Sequence, residues 1–119
     1  MTMDHDDVFH MLALGEPNLA DQQWQEVIER FEGLDPQSNS IARLGALVAL
    51  GANEASFAAA VDTAIGAGST VEELVGVLCA LAPIVGTARL VVAASRLAPA
   101  LGIDADAMFE SGSVSPIRR

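Results

Sequence analysis

The amino-acid sequence predicts an all-α protein, a bundle of about five helices that assembles into an oligomer. Three observations lead to this prediction. Apolar residues recur at steps of three and four along most of the chain. Helix-capping residues and glycines separate these stretches, and no segment has a convincing strand pattern. The length of 119 residues suits a single domain.

The first two predicted helices lie between residues 21 and 50. Asp21 is the predicted N-cap of the first helix, and Gly33 ends it. Pro36 opens the second helix, because proline is tolerated in a first helical turn, although Ser38 or Ser40 is a competing cap; Gly51 ends the helix.

Three further helices follow. Asn53 is the predicted N-cap of the third. Thr70 and Glu73 form a capping box before the fourth, since each side chain can satisfy a backbone N–H at the other residue. The fourth helix is apolar nearly all round and is therefore predicted to be central, with Pro83 and Gly86 breaking or kinking it.

The fifth helix runs from about Thr87 to Leu101, and Gly102 ends it. The sequence thus predicts a helical domain over residues 21–102. We interpret residues 1–20 as an N-terminal arm and residues 103–119 as a C-terminal arm.

Charge and hydropathy limit the partners. The formal net charge is −10 and lysine is absent, so we expect no nucleic-acid partner and no binding to an anionic membrane. Only seven charged residues lie between Ile41 and Leu101, too few to cover that segment, so its apolar faces are predicted to pack on sister chains. The single cysteine and the acidic N-terminus predict a cytoplasmic protein without a signal peptide.

The stretch from Leu44 to Gly102, about half of the chain, resembles the carboxymuconolactone decarboxylase / alkylhydroperoxidase D-like superfamily (AhpD-like). The family pattern is a helix ending in Ala-Leu, then Gly-x-Thr-x-x-Glu-[Ile/Leu], a hydrophobic helix and a glycine-centred break. These elements stand here as Ala64-Ile65, Gly68–Leu74 and Gly86. The resemblance implies an AhpD-like helical bundle and trimers or hexamers in which helices pack between subunits.

The residues that carry the family's known chemistry differ in this chain. The peroxidase branch uses a Cys-x-x-Cys pair with a nearby histidine, whereas Cys79 is followed three residues later by Ala82. The decarboxylase branch has histidines at positions that align near Ala60 and Ala80. The resemblance therefore implies a fold and leaves open whether the chain is an enzyme.

Two arginines and one aspartate are the candidate site residues within the apolar helices. Arg89 and Arg96 are seven residues apart and share a helix face. They either form ion pairs, with Asp62 as a possible partner, or hold the carboxylate of a small organic acid. In the second case Asp62 or Glu73 is the candidate base, although the capping box already accounts for Glu73.

Cys79 is either a small buried hydrophobe or the thiol of a one-Cys peroxidase. His5 and His10 lie beside acidic residues in a stretch that we interpret as a solvated tail, and their spacing fits no metal template. We therefore expect neither a metal site nor a cofactor. Three functions remain: an enzyme for a small anionic acid or lactone, a peroxide-reducing protein, and a non-catalytic oligomer that binds a ligand or partner.

Overall fold

The computed structural model describes residues 4–15, 21–31 and 33–104, and these residues form six helices. The helices are α1 (His5–Leu14), α2 (Asp21–Arg30), α3 (Pro36–Leu50), α4 (Glu54–Gly66), α5 (Val71–Val85) and α6 (Thr87–Leu101). The described residues contain no strand, so the all-α prediction is confirmed. None of the described helices has the length and apolar character that crossing a membrane requires.

The chain divides into two compact units, Met1–Asp35 and Pro36–Arg119. The first unit contains α1 and α2. Helix α1 is a sixth helix beyond the five that the sequence predicts. The Asp4 side chain accepts a hydrogen bond from the backbone N–H of Asp6 at its start, and Gly15 ends it in the left-handed conformation.

The second unit contains α3 to α6 around one hydrophobic core. Helix α3 packs against the other three, and α6 packs against α4 and α5. The largest fully buried side chains come from all four helices: Phe57, Leu44, Leu74, Leu97 and Val48. These side chains fill the space between the helices, so burial of apolar surface holds the unit together.

The predicted starts of α4 and α5 and the predicted ends of α3 and α6 are confirmed. The Asn53 side chain accepts a hydrogen bond of 2.8 Å from the backbone N–H of Ser56 at the start of α4. Both halves of the capping box between Thr70 and Glu73 are formed. Gly51 and Gly102 adopt positive φ angles of 72° and 73° after α3 and α6, a conformation that glycine reaches without strain.

Helix α5 differs from the sequence prediction in two ways. It continues through Pro83 to Val85, and only Gly86 separates it from α6. Within the single chain, Leu74 is its only fully buried residue, while Val75 and Ile84 are exposed. The prediction that α5 is central is therefore wrong for the single chain, because apolar composition all round a helix does not by itself supply neighbours on every side.

Candidate functional site

The two arginines of α6 hold the carboxyl end of α3. Arg89 Nη1 donates a hydrogen bond of 2.6 Å to the Ala49 carbonyl. Arg96 Nη1 donates to the carbonyls of Gly51 and Ala52, at 3.1 and 2.8 Å. The last carbonyls of a helix lack intrahelical donors and carry its partial negative charge, so these guanidinium groups act there as a cap.

The ion pair with Asp62 that the sequence suggested for these arginines is not formed among the described residues. The hydrogen bonds go to backbone carbonyls, so the expected ion pair with Asp62 is replaced by helix capping. Asp62 lies exposed on α4 and has no hydrogen bond or ion pair with the described residues. Carboxylate binding by Arg89 and Arg96 stays a prediction, and both side chains already have a structural role.

Cys79 lies exposed on α5. The interpretation of this residue as a small buried hydrophobe is therefore wrong for the single chain. No arginine, lysine or histidine occurs between residues 71 and 88, so the neighbouring turns provide no cation for a thiolate.

Both carboxylate oxygens of Glu73 accept hydrogen bonds from other residues of the second unit. Its Oε1 atom accepts hydrogen bonds from the Thr70 backbone N–H and hydroxyl, at 3.0 and 3.1 Å. Its Oε2 atom accepts one of 2.9 Å from Gln37 Nε2, which joins the start of α5 to the first turn of α3. Glu73 therefore caps and connects helices.

The histidines of the first unit lie on α1. The His5 ring nitrogens are each 3.3 Å from a carboxylate oxygen, one of Asp4 and one of Asp6, and all three side chains are exposed. One ligand atom from each of these residues falls within 4.8 Å of the others. Such exposed acidic groupings are common without an ion, and His10 is likewise exposed.

A groove of about 310 Å³ lies between α3 and α4. Residues at helical steps of three and four on each helix line it, namely Ser40, Arg43 and Leu47 on α3 and Ser56, Ala59, Ala60 and Thr63 on α4. Ala60 is also the position near which the family pattern has a histidine. Arg43 is the only charged residue of this lining, and it is not among the site residues predicted from the sequence. Its spacing from Ser40 and Leu47 is the signal that identifies a shared face.

Exposed large apolar side chains lie on both α5 and α6. We call these side chains together the α5–α6 face; they are Val71, Val75, Ile84, Val91 and Val92, which retain between 37% and 79% of their accessible surface. No charged residue occurs between Glu73 and Arg89, and Arg89 turns to the end of α3. The α5–α6 face therefore combines apolar exposure with a lack of charge.

No protein-family model, curated protein or solved structure matches this chain. The resemblance to the carboxymuconolactone decarboxylase / AhpD-like superfamily therefore rests on the residues that carry the pattern between positions 64 and 86.

Proposed function

We propose that this chain is an oligomeric helical protein of the carboxymuconolactone decarboxylase / AhpD-like type that binds a small organic acid or lactone between its helices. The observation that carries the proposal is the α5–α6 face. An exposed apolar surface of this kind is rare on monomeric proteins and typical of subunit interfaces. In this proposal the face packs on sister chains, in a trimer or hexamer.

The distribution of charge supports assembly through this face. Residues 74–88 contain no charged side chain, and depletion of charge is characteristic of the centre of an interface. Ile84 and Val91 keep 79% and 62% of their surface exposed, so water would cover both in an isolated chain. Burial of this surface between subunits would stabilise the oligomer in proportion to the apolar area removed from water.

Binding is favoured over catalysis by the composition of the α3–α4 groove. Its lining contains no carboxylate, imidazole or thiol, and Arg43 is its only ionisable group. Arginine remains protonated in proteins and so cannot act as a general base. A non-catalytic oligomer that binds its ligand is therefore the form of the proposal that these residues favour over a lactone-converting enzyme.

Peroxide reduction is the weaker alternative. Reduction of a hydroperoxide by Cys79 would leave a sulfenic acid, which needs a second thiol to be resolved. The chain has no other cysteine, so an external thiol would have to supply it. A Cys79→Ser variant that reduces hydroperoxide as fast as the original chain would rule this alternative out.

Sedimentation velocity over a range of micromolar concentrations tests the assembly. We expect a single oligomer larger than a dimer, and we expect Val91→Glu to dissociate it, because a carboxylate buried at the interface would lose its hydration. Ile65→Glu is the matched control, since Ile65 is similarly apolar and 43% exposed but lies on α4. A well-folded monomer of the original chain at these concentrations would contradict the proposal.

Assays with muconolactone-type lactones and with a hydroperoxide test the binding role. We expect no turnover of either substrate class by the assembled protein. Turnover of a lactone would instead favour the enzyme, and Arg89→Ala and Asp62→Asn would then identify the residues responsible.

A further inference from the structure

We infer that the groove between α3 and α4 binds the carboxylate of a small organic acid, with Arg43 as the group that holds it. The inference rests on the proposed function and deepens it by naming a site and a ligand class. It also assigns the anion to an arginine of α3 instead of Arg89 or Arg96, for which the sequence left carboxylate binding as one of two roles.

Arg43 differs from Arg89 and Arg96, the other described arginines of the second unit, because its side chain is not engaged in capping a helix. Arg89 and Arg96 donate to the carbonyls that end α3. The Arg43 side chain is exposed at the groove and has no hydrogen bond or ion pair with residues 36–104. A guanidinium group presents paired N–H donors whose geometry matches a carboxylate, so it suits this ligand better than a point charge does.

Ser56 supplies a second free donor. Its backbone N–H donates to the Asn53 side chain, while its half-buried hydroxyl has no partner among residues 36–104. Ser56 lies in the first turn of α4, where the exposed N–H groups and the helix dipole favour negative charge. Arg43 and Ser56 are thus the two residues of the groove lining whose side-chain donors have no partner among residues 36–104.

The other two hydroxyl groups of the groove have a different role. Ser40 Oγ donates to the Pro36 carbonyl at 2.9 Å, and Thr63 Oγ1 donates to the Ala59 carbonyl at 3.0 Å. Their protons are committed, so they present only lone pairs to a ligand. A carboxylate is therefore drawn towards Arg43 and Ser56 rather than towards Ser40 and Thr63.

The apolar lining and the size of the groove define the rest of the ligand. Leu47, Ala59 and Ala60 form its apolar wall, and the two alanines leave space because their side chains are short. A volume of about 310 Å³ is at the lower end of the range for small-molecule pockets. These features fit a compact apolar body, such as a single ring, that carries one carboxylate.

Titration of the full chain with benzoate, followed by amide signals in NMR, tests the site. Benzamide is the neutral control of the same shape, and inorganic phosphate is the control for charge alone. We expect benzoate to shift the signals of residues around 40–47 and 56–63, and we expect benzamide and phosphate to bind at least about tenfold more weakly. Arg43→Gln should weaken benzoate binding by about tenfold or more, because it removes a charged hydrogen-bond donor.

Ser56→Ala should weaken benzoate binding less than Arg43→Gln, because the hydroxyl is an uncharged donor. Sedimentation of Arg43→Gln should match the original chain, so loss of the site and loss of assembly are separable. Equal binding of benzoate by Arg43→Gln, or signal shifts confined to α6, would overturn the inference. Equal binding of phosphate would overturn the assignment to organic acids.

Discussion

Arg89 on α6 donates a hydrogen bond of 2.6 Å to the carbonyl of Ala49 in the last turn of α3. Two turns further along α6, Arg96 donates hydrogen bonds to the carbonyls of Gly51 and Ala52, which follow the last residue of α3. Two side chains of one helix thereby satisfy three carbonyls that end another. The two arginines that the sequence identifies as candidate ligand-binding residues therefore stabilise the packing of α6 on α3.

Substitution of these arginines should lower stability. We expect Arg96→Ala to lower the free energy of unfolding by about 1 to 2 kcal/mol and Arg89→Ala by about 1 kcal/mol, after allowing for solvent screening of exposed groups. Arg96 has the larger effect because it is half-buried and makes two hydrogen bonds. Urea denaturation followed by circular dichroism measures the change. Arg43→Ala is the matched control and should change stability by less than about 0.5 kcal/mol.

Substitution of Gly86 should lower the stability of the chain. It joins α5 to α6 with a φ of 86° and a ψ of 158°, a conformation essentially restricted to glycine. We expect Gly86→Ala to destabilise the chain by about 1 to 3 kcal/mol. Gly66→Ala provides the comparison, because Gly66 is helical and an added Cβ meets no atom within 4 Å. Thermal unfolding should separate the two variants, and equal melting temperatures would contradict the strain argument.

Loss of the capping box between Thr70 and Glu73 should lower the free energy of unfolding. Thr70→Ala removes the oxygen that accepts a hydrogen bond from the Glu73 backbone N–H at 3.1 Å, so we expect a loss of about 1 kcal/mol in the free energy of unfolding. Glu73→Ala should cost at least as much, because it also loses the hydrogen bond from Gln37. Glu72→Ala, at the adjacent exposed position, should cost less. An equal effect of Glu72→Ala and Glu73→Ala would show that negative charge at the start of α5, rather than the cap, is responsible.

The reactivity of the Cys79 thiol tests whether α5 lies at the proposed subunit interface. In the single chain its thiol is exposed, so a dilute sample should react readily with a thiol reagent such as Ellman's reagent. If α5 packs on a sister chain, the reaction should slow as the concentration of protein rises. The Val91→Glu variant should stay reactive at every concentration. A native chain that is equally reactive at all concentrations would place Cys79 outside the interface.

The helix boundaries were predictable from the sequence because they depend on neighbours a few residues apart. Asn53, the Thr70–Glu73 pair and Gly102 act within one turn of the helix end that they define. The same local signals, Asp4 and Gly15, bound α1, which we had interpreted as part of an arm. The bonds to Asp6 and Leu12 that close this helix are as local as the others.

The sequence by itself determined the helical class, the ends of the helices in the second unit and the scarcity of charge along α5 and α6. Only the tertiary structure decided what the charges do. Arg89 and Arg96 find acceptors 40 to 45 residues away, Arg43 is left facing a groove, and Cys79 is exposed although its helix is apolar. Caps and turns act through the nearest residues of the chain, whereas the partner and the burial of a side chain depend on which helix lies opposite, and helical periodicity does not specify that.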